Sequence, residues 1–101
     1  MTPEELELEL EEVSPCPSSG EIKIVGRIRG FSREKMSQLC SKEEIQCKEI
    51  LGKKIAKKED DFGRKVLIAE DGEVTLLGFE ELKDALSSLR RMLGLESGGS
   101  R

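Results

Sequence analysis

Arg64-Lys-Val-Leu-Ile-Ala-Glu-Asp71-Gly72-Glu-Val-Thr-Leu-Leu-Gly78, followed directly by Phe79-Glu-Glu-Leu-Lys-Asp-Ala-Leu-Ser-Ser-Leu-Arg-Arg-Met-Leu93-Gly94, decides the fold. Two short β-rich runs flank Asp71-Gly72, a strong hairpin signal. A two-residue turn there would set Glu70 opposite Glu73, and like charges facing each other across a ladder cost stability. A three-residue loop, Glu70-Asp71-Gly72 with Gly72 left-handed, instead pairs Ile68 with Val74 and Val66 with Leu76. Those four then share one face, and Leu67, Thr75 and Leu77 point to the other. Apolar residues at Phe79, Leu82, Leu86, Leu89 and Leu93 follow with i, i+3, i+4 spacing, which predicts an amphipathic helix over 79–93. A hairpin feeding a helix that folds back over it is half of a small α+β domain.

Working outward, Ile22, Ile24 and Ile28 predict a strand over 21–29, with Lys23, Arg27 and Arg29 on its opposite face. Ser32 is a good N-cap for a short helix carrying Met36, Leu39 and Cys40. Ser41-Lys-Glu-Glu44 matches a capping box and suggests a fresh helix start. The segment 42–58 is ambiguous between helix and strand; the reading adopted is a turn or short helix near 42–45, a strand around 46–51, and then a charged continuation and loop from Lys53 that ends at Gly63. Residues 4–12 alternate Leu6, Leu8 and Leu10 with glutamates. They read as a solvated acidic lead-in, or as an arm that adds an edge strand or covers the basic section of its own molecule. Ser14-Pro15-Cys16-Pro17-Ser18-Ser19-Gly20 is a turn-rich linker. The expected organisation is an acidic leader over 1–20, one α+β domain over 21–95 and a flexible tail over 96–101. The expected core is Ile22, Ile24, Ile28, Met36, Leu39, Val66, Ile68, Val74, Leu76, Leu82, Leu86, Leu89 and Leu93.

Composition narrows the chemistry. The 101 residues contain no histidine, which removes the usual neutral-pH general base and the commonest metal ligand. A non-catalytic role is therefore expected. Three cysteines, an odd number, do not read as the disulfide frame of a small secreted domain. With no signal-peptide pattern and no long apolar run, the expected location is the cytoplasm, with no membrane involved. The net charge of −4 is unevenly placed. Residues 1–12 hold six glutamates and no base, whereas residues 22–65 hold thirteen Lys/Arg against seven Asp/Glu.

Three functional readings compete. Leu67, Thr75 and Leu77 on the outer sheet face suggest a protein-interaction or regulatory module with a protein partner or a second copy. Cys16, Cys40 and Cys47 could hold zinc or an iron–sulfur cluster as an accessory protein, although no Cys-x-x-Cys pair is present and Cys40 is more simply a small apolar residue; otherwise no cofactor is implied. Lys23, Arg27, Arg29, Lys53, Lys54, Lys57 and Lys58 would form a nucleic-acid or other polyanion patch if they converged, but no aromatics interleave to stack bases. Gly26 and Gly30 match no dinucleotide or P-loop fingerprint.

The element order, with Val66-Leu-Ile-Ala-Glu-Asp-Gly-Glu-Val-Thr-Leu-Leu-Gly-Phe-Glu-Glu-Leu82 at its centre, resembles one half-repeat of the TATA-binding-protein fold. The resemblance covers 22–94 by topology and 66–82 by pattern. It implies a small antiparallel sheet with two helices packed on one face and a curved open face that needs a partner. The second repeat and the wedge phenylalanines of that family have no counterpart here, so DNA binding is not carried over. A ferredoxin-like sandwich is the alternative assignment. Lysine and glutamate richness, without His or Trp, suggests an archaeal or thermophile origin.

Overall fold

The structure, a computed structural model, describes residues 7–16 and 20–93. Alternating apolar and polar residues drive six strands into one antiparallel sheet: β1 (Glu7–Pro15), β2 (Ile22–Arg29), β3 (Gln46–Ile50), β4 (Lys53–Glu59), β5 (Lys65–Ala69) and β6 (Glu73–Phe79), ordered β1-β2-β6-β5-β4-β3. Two helices, α1 (Arg33–Cys40) and α2 (Leu82–Leu93), complete the α+β fold. Both contribute to a single core cluster with the inward sides of the strands, so both lie on one face. Among the described residues, the opposite face carries no helix.

The hairpin has the expected register. Ile68 faces Val74 and Val66 faces Leu76, and Gly72 takes φ 97°. Its N–H bonds the Ala69 carbonyl at 2.9 Å, closing the loop. A side chain at Gly72 would meet more than an unfavourable φ, because its Cβ would lie 2.7 Å from the Ile28 carbonyl oxygen. The loop therefore rests against β2.

Several expectations are corrected. The acidic segment is not simply a lead-in: β1 pairs antiparallel with β2, with a bulge between Leu10 and Glu12. The sheet thus reaches back past Glu21 to Glu7. Gly26 makes this possible, since a Cβ there would sit 2.7 Å from the Glu9 carbonyl oxygen. Expectations for 1–6, 17–19 and 94–101, including the flexible tail, lie outside the described residues.

Ser41 does not start a helix. It caps the end of α1, with its hydroxyl donating to the Gln38 carbonyl at 2.7 Å. Ser32 accepts from the Lys35 N–H as the expected N-cap. The sequence reading of 46–51 as strand agrees with β3, but Lys53–Glu59 is a separate strand, β4, where a charged continuation and loop was expected. Phe79 ends β6 instead of opening α2, which begins at Leu82. The buried face of α2 is Ala85, Leu89 and Met92, while Leu82 is exposed. Ile22, Leu86 and Leu93 are half-buried, and Ile45, Ala56 and Phe79 join the core unanticipated.

Candidate interaction face

Strand alternation builds the open face. Ile24, Ala56, Val66, Ile68, Val74 and Leu76 turn toward the helices and are buried, so their neighbours turn outward. One outward row crosses the whole sheet: Glu12, Val25, Thr75, Leu67, Lys57 and Gln46 face one another in succession from β1 to β3. A second row sets Ala69 against Ile55 and Ile55 against Lys48. Leu67 and Thr75, both singled out from the sequence, are thus direct neighbours, and Leu77 lies along the same face opposite Lys65.

At the β3 side this face forms a shallow groove of about 230 Å³, lined by Gln46, Lys48, Ile50, Ile55, Lys57 and Leu67. The groove is apolar along Ile50, Ile55 and Leu67 and rimmed by two lysines. Sequence reading found Leu67 but missed Ile50, Ile55 and Lys48, because only the pairing of β3 with β4 and of β4 with β5 assembles them. At the tip of the β3–β4 hairpin, Leu51 is fully exposed and sits at φ 53°, next to Gly52 at φ 78°. A leucine in the left-handed region costs roughly 1–2 kcal/mol.

The basic residues do not converge into one patch. Lys23, Arg27, Arg29, Lys53 and Lys57 lie on the open face, whereas Lys54 and Lys58 share the alternation of buried Ala56 and lie on the helix side. Acidic partners hold most of the first group. Arg29 pairs with Glu9 at 3.2 Å and Arg27 with Glu11 at 3.8 Å, so two glutamates of β1 form exposed ion pairs with the strand beside it. Arg27 also donates to the Asp71 carbonyl at 3.1 Å. The Lys53 ammonium is 3.0 Å from the Asp71 carboxylate, and Lys57 lies 3.9 Å from Glu59.

Asp71 thereby links the hairpin loop to β4 and β2. The Glu73 N–H and then the Lys53 ammonium stabilise its carboxylate, and with the charges of Lys53 and Arg27 they outweigh desolvation and hold its pKa below the usual value.

Lys58 lines a different cavity, of about 190 Å³, with Asp60, Asp61, Phe62, Arg64, Val66, Phe79, Ser88 and Arg91. Burial there pushes the Asp60 carboxyl up. Hydrogen bonds from the Arg64 N–H, its guanidinium and the Phe62 N–H, together with the Arg64 charge, prevail and lower its pKa. Arg64 Nε sits 2.6 Å from Asp60 Oδ2, and its guanidinium lies over both the Phe62 and Phe79 rings, 5.1 and 5.4 Å from their centroids. Phe62 itself is 81% exposed.

Cys40, at the end of α1, and Cys47, in β3, are joined by a disulfide with their Cα atoms 5.8 Å apart. This corrects the reading of Cys40 as simply a small apolar residue. It also leaves the ligand set of Cys16, Cys40 and Cys47 unassembled, because only Cys16 is a free thiol. Among the described residues, no group of three His, Cys, Asp or Glu side chains is placed to hold a metal ion. No described helix is long and apolar enough to cross a membrane. Comparison of the chain with protein-family models, with curated proteins and with solved structures finds no match.

Proposed function

We propose that this chain is a protein-interaction module that docks a partner on the uncovered face of its sheet, centred on Leu67. The observation that carries this reading is the apolar groove of Ile50, Ile55 and Leu67 on the face that none of the described helices covers, with Lys48 and Lys57 at its rim. An apolar strip framed by cations suits a segment with apolar anchors and acidic flanks. Leu51, fully exposed at the tip of the β3–β4 hairpin next to Ile50, adds apolar surface beside the groove. The half-repeat resemblance, with its open face in need of a partner, is consistent with it.

The rival readings draw less support. A polyanion surface would need Arg27 and Arg29 free of β1, and Lys54 and Lys58 on the other face. A thiolate metal site would need the Cys40–Cys47 bond opened.

A photo-crosslinking residue placed at Leu67, with a control at exposed Glu34 on α1, tests the proposal. Stoichiometric adducts from position 67 and none from position 34 are the expected result. An adduct of twice the chain's mass identifies a second copy, and a different mass identifies another protein. Equal labelling from both positions, or none from either, would overturn the assignment.

A further inference from the structure

We infer that the Cys40–Cys47 disulfide is a redox control on the groove: its reduction by a dithiol releases β3 and dismantles the groove wall. The inference rests on the interaction reading for its biological purpose, but its physical claim concerns the isolated chain.

Three observations carry it. First, β3 is tied to the molecule by very little. Of its five residues, Gln46, Lys48, Glu49 and Ile50 are exposed, and Cys47 alone is part-buried. Cys47 is also the one β3 side chain packed against the core. Second, among the described strands β3 lies at the sheet's edge, with β4 as its single ladder partner. Apart from that ladder, β3 is joined directly to α1 by one covalent bond, at the C-terminal residue of the helix. Third, β3 supplies Gln46, Lys48 and Ile50, half of the groove lining.

The chemistry is an ordinary exchange. A thiolate of the external dithiol attacks one sulfur of the bond, the other cysteine leaves as thiolate and takes up a proton, and the second external thiol then displaces the first cysteine. Two electrons and two protons pass to the protein, and the reductant becomes a cyclic disulfide. Both cysteines are only part-buried, so a small dithiol can reach them.

With the bond open, a short strand is left with its ladder to β4, the part-buried Cys47 side chain and the buried Ile45 just before it. Such an element belongs to the low-stability end of a structure, which opens without global unfolding. The rest of the sheet keeps its own anchors, because Val66, Ile68, Val74 and Leu76 are all buried. Reduction therefore acts on the groove rather than on the fold.

Native-state amide exchange and methyl NMR, on the full chain with and without dithiothreitol, test this without any partner. After reduction, the bonded β3 amides should exchange about ten-fold faster or more. The Ile50 and Ile55 methyl signals should shift or broaden, while Val74 and Leu76 hold. The double variant Cys40→Ser/Cys47→Ser should reproduce the reduced pattern without reductant, and Cys16→Ser should not.

Unchanged β3 exchange on reduction would overturn the inference, as would collapse of the whole spectrum, which would make the bond a global staple. Thiol titration finding three free thiols after air oxidation would also overturn it. None of these results bears on crosslinking from Leu67, so the two readings fail separately.

Discussion

Asp60 illustrates how much one side chain organises. Its carboxylate accepts from the Phe62 N–H and the Arg64 N–H, both at 2.9 Å, and from Arg64 Nε at 2.6 Å. These bonds shape the turn between β4 and β5 and hold Phe62 outward. Because the folded-state pKa lies below the reference value of 3.8, the stabilisation is fully present above that value. It is lost as pH falls through the lower folded value. Asp60→Asn should therefore cost about 1–2 kcal/mol at pH 7. The gap to the parent protein should close below about pH 4. Thermal melts between pH 7 and pH 2 measure this; a gap that stays constant would exclude an ionised Asp60 as the cause.

At the scale of elements, α2 separates apolar count from burial. The spacing of Leu82, Leu86, Leu89 and Leu93 is a fair helical stripe, yet the buried residues are Ala85, Leu89 and Met92. Alanine carries little hydrophobic signal, but its small side chain lets the helix backbone approach the sheet. Leu89→Ala should cost about 2–5 kcal/mol, whereas Leu82→Ala should cost under about 1 kcal/mol. Denaturant unfolding of the two variants checks this, and equal losses would contradict the observed face. The hairpin register was legible because charge repulsion and apolar alternation both demanded the same three-residue loop. Lys53–Glu59 was not legible as a strand, since its four lysines hide Ile55 and Ala56 and its apolar partners lie on β5. The disulfide was equally hidden, because the turn at 41–44 alone brings Cys47 back beside the end of α1.

For the whole molecule, charge is arranged to cancel within the chain. Glu11 and Glu9 sit against Arg27 and Arg29 on the adjacent strand. Both pairs are exposed, so each contributes at most about 1 kcal/mol to stability. Their larger effect is on the field that the open face presents to solvent. Glu9→Gln combined with Glu11→Gln keeps β1 paired and removes two of those charges. The variant should elute from heparin at higher salt than the parent protein, with an unchanged melting temperature to within a few degrees. Identical elution would mean that β1 does not mask the basic strand.

The carbonyl of Gly72 accepts the Ile28 N–H at 2.8 Å, beside the bond between Arg27 and Asp71, residues 44 apart in the chain. A turn that closes locally is therefore also where β2 and β6, strands far apart in the chain, are joined. The β4-β5-β6 meander can assemble from near neighbours on a fast timescale, but β2 must wait for a long loop to close, whose entropy is lost before any contact offsets it. Gly72 belongs to both events. Gly72→Ala should accordingly slow refolding in stopped-flow measurements more than it speeds unfolding, and Leu89→Ala should do the reverse. The residue that sets the hairpin's shape thus also sets the tempo at which the two halves of the sheet find each other.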